Sequence, residues 1–143
     1  MDSLQITTGQ KRLPITRDGE SVGEIVFNPG DVIFAEKFYR LIGEFQRKLG
    51  EYQSRGEAID AVTGQDEHGI PVNAQARFEL MREVCGWLRS EIDDLFGAGT
   101  SQIVFGDAMA LDMFQDFFTG ITPFIQKSRS ARLEKYTNKR VKK

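Results

Sequence analysis

The chain has 143 residues, 40% of them hydrophobic and 28% charged, a composition typical of one globular domain with a modest core. No apolar run approaches the roughly 18 residues that span a bilayer, and the first residues lack the pattern of a secretory leader. One cysteine and one histidine exclude an internal disulfide and the usual zinc-ligand sets. We therefore expect a cytoplasmic protein that needs neither a membrane nor a cofactor.

The net charge of −2 conceals an asymmetry along the chain. Residues 1–126 contain 11 basic and 20 acidic residues, a balance of −9, whereas residues 127–143 contain 8 basic residues and one acidic residue, a balance of +7. The basic end could be a solvated helix terminus, could bind an acidic protein, or could contact nucleic acid phosphates. Because a nucleic-acid-binding domain usually carries a basic patch on its folded body, we do not expect nucleic acid here.

The first segment, residues 3–28, has the pattern of β-structure. Leu4 and Ile6 alternate with polar neighbours in LQITT, and Asp18-Gly19 favours a hairpin turn between KRLPIT and SVGEIVF. Pro14 is typical of an edge strand. A sheet of two or three strands needs helices to cover its apolar face.

Two long helices are predicted next. Asp31 is a plausible N-cap for a helix that ends near Arg55, and Asn73 can cap a second helix that ends near Phe96. Apolar residues recur at helical spacing on one face of each segment, and the stripe of the second helix contains Phe78, Met81, Val84 and Leu88. The polar residues 56–72 between them indicate a loop.

The remaining chain predicts two shorter helices and a tail. The first begins near Asp107 and ends where Gly120 interrupts the pattern, and the second begins with Thr122 as its cap and Pro123 in its first turn. The basic residues 136–143 have the composition of a disordered tail. The predicted fold is α+β, in which an N-terminal β-hairpin or small antiparallel sheet packs on about four α-helices. Residues 1–135 would form its single globular domain.

The glycine-rich segment FGAGTSQIVFGD, residues 96–107, resembles a phosphate-binding loop only superficially. It has no lysine and follows a helix rather than a strand, whereas a P-loop needs both a lysine and a preceding strand. Gly97 suits the C-terminal end of a helix, and Thr100 or Ser101 can cap a short helical turn. We predict a packed helix–loop–helix corner, with its structural positions at Gly97, Gly99, Gly106 and Asp107.

Catalytic chemistry is not indicated. The neighbouring residues Asp93 and Asp94 point about 100° apart on a helix and form no dyad. Cys85 lies at an apolar helical position with no base near it in sequence, which is typical of a buried core residue. We therefore expect the protein not to be an enzyme.

Three segments carry a family resemblance: FNPGDVIFAEKFYRLI, EIDDLFGAGTSQIVFGDAMALDMFQDFFTGITPFIQ and KYTNKR. From about residue 22 to residue 140, the chain resembles small proteins of tailed phages and prophages of Gram-positive bacteria. These proteins are encoded in the tail module near the tail tube and tape measure genes, and they look like tail assembly chaperones. The resemblance is densest at residues 91–126.

The resemblance implies a bacteriophage tail assembly chaperone in the host cytoplasm. Such a protein would bind the long apolar tape measure protein and keep it soluble until tail tube protein displaces it. The tube protein and a second copy of this chain are further candidate partners. A structural tail component retained in the particle and a small nucleic-acid-binding phage protein are the alternatives.

Two sets of residues are candidates for binding such a partner. The chain contains 11 phenylalanines and four methionines, and side chains of these kinds suit a surface that accepts varied helices. Most of them are expected in the core, and four are predicted to border an exposed groove: Phe114, Phe117, Phe118 and Phe124. Five basic residues are predicted to contact an acidic partner: Arg129, Arg132, Lys135, Lys139 and Arg140.

Overall fold

The structure, a computed structural model, describes the backbone of residues 2–141 and the side chains of residues 2–128. A two-stranded antiparallel sheet precedes four helices, which confirms the predicted α+β fold. The elements in chain order are β1 (Lys11–Arg17), β2 (Glu20–Phe27), α1 (Val32–Asp60), α2 (Ala74–Phe96), α3 (Thr100–Phe105) and α4 (Leu111–Val141).

The hairpin turn forms where the sequence predicts it. Asp18 and Gly19 both have positive φ, 53° and 82°, as a two-residue hairpin turn of the primed type requires. The register pairs Ile15 with Gly23 and Thr16 with Ser21, so Val22 is an extra residue that forms a β-bulge.

The predicted strand LQITT does not form within the described chain. Residues 2–10 belong to no strand, and Leu4 and Ile6 are 84% and 72% exposed. The Nδ2 group of Asn28 donates a hydrogen bond to the carbonyl of Thr8 at 2.6 Å, next to the end of β2. Alternation alone does not make a strand, because a strand also needs a neighbour to satisfy its backbone groups.

The two long helices follow the prediction with two corrections. The carboxylate of Asp31 accepts a hydrogen bond from the backbone N–H of Ile33 at 3.0 Å, which confirms the N-cap. Helix α1 continues to Asp60 rather than ending near Arg55, because Gly56 interrupts a helix only weakly. Asn73 makes no side-chain cap for α2. Its Nδ2 group instead donates to the carbonyls of Ile59 and Val62, at the end of α1.

The last part of the chain forms one long helix instead of two. Helix α4 passes through Gly120 and contains Pro123, so the predicted break is wrong. Ile121 and Ile125 are buried on either side of Pro123, and this packing outweighs the low helix propensity of the glycine and the proline. Thr122 donates a side-chain hydrogen bond to the carbonyl of Phe118 at 2.7 Å in the same turn. The backbone of α4 is helical to Val141. The side chains of the tail predicted for residues 136–143, and the backbone of residues 142–143, lie outside the described residues.

Aromatic rings from every helix and from β2 pack together in and against the core. Phe96, the last residue of α2, contacts Phe34 of α1 and Phe117 of α4, each with 5.1 Å between ring centroids, and Phe27 of β2 at 5.6 Å. Phe105 of α3 contacts Phe117 at 5.6 Å. Cys85 is fully buried, as predicted. The buried apolar residues are Ile25, Phe27, Phe34, Ala35, Phe38, Leu41, Phe45, Val84, Cys85, Leu88, Ile92, Phe105, Phe114, Phe117, Phe118, Ile121 and Ile125.

Candidate partner-binding surfaces

The glycine-rich segment forms a tight corner around the short helix α3. Gly97, Gly99 and Gly106 have φ values of 119°, 88° and 60°, which side chains of other residues rarely allow. The corner residue Asp107 accepts a hydrogen bond from Gln102 at 3.1 Å. The predicted cap from Thr100 or Ser101 is wrong, because helix α3 already begins at Thr100 and Gly99 occupies its N-cap position. The hydroxyl of Thr100 instead donates to the carbonyl of Gly97 at 2.8 Å.

Two arginines from different elements, α2 and β1, hold the corner. Arg89 donates to the carbonyls of Gly106 and Ala108, both at 2.6 Å, and Arg17 donates to the carbonyl of Ile103 at 2.7 Å. These carbonyls lie at or beyond the C-terminal end of α3, where a cation is favourable. A Cβ atom on Gly106 would lie 2.9 Å from the guanidinium carbon of Arg17, so the corner is closely packed there. This packing is consistent with a structural corner.

The four phenylalanines predicted to border an exposed groove lie mainly in the core. Phe114 and Phe118 are buried, which corrects that expectation for both. Phe117 is 7% exposed, and its edge lines a groove described below. Phe124 is half-buried, with the Lys11 ammonium 4.8 Å from its ring centroid. These residues are on the inward face of α4, where helical spacing alone cannot distinguish a core contact from a partner contact. Their role in binding a partner stays a prediction.

The five basic residues predicted to bind a partner lie on the backbone of α4, and their side chains are outside the described residues. They are Arg129, Arg132, Lys135, Lys139 and Arg140.

One apolar groove, which we call the edge groove, runs along the side of β1 that faces away from β2. Its volume is about 560 Å³, and no residue of β2 lines it. The whole strand segment from Leu13 to Arg17 forms one wall, and residues of α3 and α4 form the other. The apolar side chains that line it are Leu13, Pro14, Ile15, Val104, Phe105, Ala108, Met113, Phe117 and Ile121.

A second apolar groove, which we call the tip groove, lies where the end of α1 meets the start of α2. Its volume is about 410 Å³. Met81 also borders a shallower depression of about 280 Å³ that Phe78, Arg82 and Met109 complete. Phe78 and Met109 are 59% and 44% exposed, so an apolar surface adjoins the groove. The apolar residues in the tip groove itself are Leu49, Tyr52, Gly56, Leu80, Met81, Val84 and Leu111.

Charged pairs flank the tip groove. Arg77 and Asp60 form an ion pair at 3.3 Å, and Arg55 forms an ion pair with Glu83. The hydrogen bond from Arg55 lowers the pKa of Glu83, and burial is the largest cause that raises the pKa of Tyr52. An apolar centre with a polar rim is the usual composition of a protein–protein contact surface.

The tip groove was not predicted, because helical spacing places Phe78 and Met81 in the buried stripe of α2. Both residues have the same helical spacing as Val84 and Leu88, which are buried. The difference arises from the neighbouring elements, because α4 begins only at Leu111 and the last turns of α1 have largely polar side chains. No signal in the sequence marks the position at which the stripe loses its cover.

Among the described side chains, no three His, Cys, Asp or Glu residues are close enough to hold a metal ion. Burial raises the pKa of the Cys85 thiol, which disfavours the reactive thiolate. A small cleft of about 240 Å³ is lined by Lys37, Arg40 and Glu44 of α1 and by Glu91 and Asp94 of α2. None of the helices, over the residues described, is both long and apolar enough for a membrane span.

These features define a small α+β protein whose most distinctive surfaces are two apolar grooves. A family model described as "Family of unknown function (DUF6673)" matches residues 22–143, and the chain therefore belongs to that family. Neither a curated protein nor a solved structure matches the chain. The matched region begins within β2, so it contains all four helices and omits β1 and the residues before it.

Proposed function

We propose that the protein is a phage tail assembly chaperone, which binds the tape measure protein in the host cytoplasm and keeps it soluble before the tail tube polymerises. The identity of the partner rests on the resemblance of residues 91–126 and their flanks to tail-module proteins. The observation that carries a binding role is the tip groove, where Phe78 and Met81 leave apolar surface in contact with solvent.

The chemistry of the tip groove suits an apolar helical client. A client helix presents apolar side chains at positions i, i+3 and i+4, and a groove between two helices can accept such a row. Met81 and Met109 add flexible, polarisable side chains, which adapt to client helices of different sequence. Variation among client segments is expected when one small protein coats a long chain.

The charges around the groove would limit how a client is oriented. The ion pairs Arg77–Asp60 and Arg55–Glu83 remain largely solvated, so they contribute specificity more than affinity. The basic residues after Gln126 supply a second contact if the client segment is acidic. The predicted partner residues Arg129, Arg132 and Lys135 belong to this second contact.

The test is co-expression of the chain with the tape measure protein from the same gene cluster, followed by affinity pull-down and a solubility assay. We expect the tape measure protein to become soluble and to co-purify. The double variant Phe78→Ser/Met81→Ser should lose most of that effect. The matched control is Val32→Ser/Ile33→Ser, because both of these residues are 63% exposed and line neither groove.

Four results would each count against the proposal. An insoluble, unbound tape measure protein would remove the chaperone function. If the two double variants lost solubilisation of the tape measure protein equally, the tip groove would not be the binding surface. Stoichiometric presence of the chain in purified particles, measured by mass spectrometry, would favour a structural tail component. Binding to DNA or RNA that weakens steeply with salt would favour the nucleic-acid alternative.

A further inference from the structure

We propose that the N-terminal arm, residues 2–8, adds as a β-strand to the outer edge of β1 in a second copy of the chain, and that the exchange is reciprocal. Leu4 and Ile6 of each arm would then occupy the edge groove of the other copy. This inference concerns self-association and does not depend on the identity of any tail partner.

The arm has the pattern of a strand but lacks a sheet to join. Leu4 and Ile6 are separated by one residue, so an extended backbone places both side chains on the same face. They are the two most exposed large apolar residues in the described chain, at 84% and 72%. Burying two such side chains against an apolar wall is favourable.

The edge groove offers the missing sheet edge. Strand β1 pairs only with β2 in the described structure, so its other side has no neighbouring strand. An open strand edge next to an apolar wall is a template for strand addition. Residues 13–18 line the groove, and six residues of extended arm span about the same 20 Å. Pro14 cannot donate a hydrogen bond, but its carbonyl can still accept one.

One register places apolar residues opposite apolar residues and an acidic residue opposite a basic one. In a two-fold dimer the arms run antiparallel to β1, and residue i of one copy faces residue j of the other while j faces i. If Ile6 lies opposite Leu13, then Leu4 lies opposite Ile15 and Asp2 lies opposite Arg17. Paired residues of adjacent strands project from the same face, so both apolar residues meet apolar partners and the carboxylate meets a guanidinium.

The core face of the hairpin continues across this junction. Leu13 already pairs with Ile25 of β2, and Ile15 pairs with Gly23. Ile6 would therefore add a third side chain to the cross-strand row formed by Leu13 and Ile25. Leu4 would lie beside Ile15 in the neighbouring row. Both side chains would approach the groove wall formed by Phe105, Met113 and Phe117.

A second copy is the occupant because the chain's own arm is held elsewhere. Asn28 follows β2 directly and donates to the carbonyl of Thr8 at 2.6 Å, which keeps the base of the arm next to the end of β2. To reach its own β1 edge, the arm would have to reverse direction within Gly9 and Gln10. A neighbouring copy receives the arm without that reversal, because Gly9 tolerates either a bent or a straight backbone.

Sedimentation equilibrium of the full chain over a range of concentrations is the first test. We expect a monomer–dimer equilibrium in the parent chain, and a dissociation constant at least about 100-fold higher in Leu4→Ser/Ile6→Ser. The matched control is Gln5→Ser/Thr7→Ser, which changes the opposite face of the same arm and should leave the dimer intact. Because all four residues are exposed, neither variant should alter the fold measured by circular dichroism.

Directed cross-linking then tests the register and separates exchange from closure within one chain. In a Cys85→Ser background, a chain with Ile6→Cys is mixed with a tagged chain that has Leu13→Cys, under mild oxidation. We expect a disulfide between the two chains, and much less of it when Ile15→Cys replaces Leu13→Cys, because diagonal positions are too far apart.

A parent chain that is monomeric at all concentrations overturns the proposal. A dimer that is unaffected by Leu4→Ser/Ile6→Ser overturns it as well. The last comparison uses a single chain that has both Ile6→Cys and Leu13→Cys. If a disulfide forms inside that chain and none forms between the two single-cysteine chains, the arm closes on its own copy, and the proposal is also overturned.

Discussion

The carboxylate of Asp93 on α2 caps helix α3 from outside that helix. It accepts one hydrogen bond from the backbone N–H of Ser101 at 2.8 Å and another from the Ser101 hydroxyl at 3.1 Å. The cap therefore connects two helices across the glycine corner, and it satisfies an N–H group that α3 leaves without an intrahelical partner.

Replacing Asp93 by alanine is expected to destabilise the protein by about 1–2 kcal/mol, the usual effect of losing an N-cap. The measurement is the free energy of unfolding from urea titration. Asp94→Ala is the matched control, because Asp94 is adjacent and exposed, whereas the hydrogen bonds from Ser101 go to Asp93. Equal effects of the two substitutions would contradict the role assigned to Asp93.

Alanine substitutions at two glycines should change the stability of the protein in opposite directions. Gly106→Ala should cost about 1–3 kcal/mol, because its φ of 60° is strained for alanine and its Cβ would meet Arg17. Gly43→Ala in α1 should stabilise by about 0.5–1 kcal/mol, because nothing lies within 4 Å of its Cβ and alanine favours the helix. Thermal unfolding of both variants checks the signs, and a stabilising Gly106→Ala would refute the close packing of the corner.

The ionised form of Glu91 is expected to lower the stability of the protein at neutral pH. Burial, followed by repulsion from Glu44 and Asp94, raises the pKa of Glu91 above its ordinary value of 4.5, while Lys48 opposes this. Because the pKa of Glu91 is higher in the folded chain than in the unfolded chain, its contribution to stability is fully present below the unfolded pKa. That contribution is lost as the pH rises through the folded pKa. Glu91→Gln should therefore unfold at a higher temperature than the parent at about pH 7, and the difference should vanish by about pH 3.5.

Glu83 gives the opposite result in the same experiment. The hydrogen bond from Arg55 lowers its pKa below 4.5, so its contribution to stability is present above pH 4.5 and is lost as pH falls through the lowered value. Glu83→Gln should unfold at a lower temperature than the parent at about pH 7, and the two should converge in acid. The same sign for Glu91→Gln and Glu83→Gln at neutral pH would show that the direction of one shift is wrong.

The burial of the α4 phenylalanines predicts a graded effect of truncation. Phe114→Ala should cost about 3–5 kcal/mol, because a fully buried aromatic side chain leaves a cavity. Phe124→Ala should cost clearly less, because Phe124 is half-buried and solvent can fill the space. Guanidinium titration of both variants compares the losses. Similar losses would mean that the two rings are equally enclosed, contrary to their exposures.

Local chemistry was sufficient to predict several elements from the sequence. Asp31 caps α1 and Asp18-Gly19 makes the hairpin turn, because each depends on residues only a few positions away. The break at Gly120 was predicted wrongly, because burial of Ile121 and Ile125 is a tertiary effect that propensity does not contain. The cap from Asp93 was missed for the same reason, since it acts between two helices.

The candidate surfaces were harder to predict from the sequence than the fold was. Helical spacing identifies which side chains share a face, but the position of neighbouring elements decides whether that face is covered. Phe114 and Phe118 were therefore expected at a groove and lie in the core, whereas Phe78 and Met81 were expected in the core and lie at the tip groove. The exposed pair Leu4 and Ile6 was recognised as strand-like, but its exposure required the structure.

The position of Phe96 has a consequence for how the protein unfolds. Its ring contacts Phe27, Phe34 and Phe117, which belong to three different elements, and the next residue is the first glycine of the corner. Any change that shifts the end of α2 must therefore displace rings from the hairpin, from α1 and from α4 together. The hairpin and the helices should lose their structure in a single cooperative transition, and damage to the corner should appear as global rather than local unfolding.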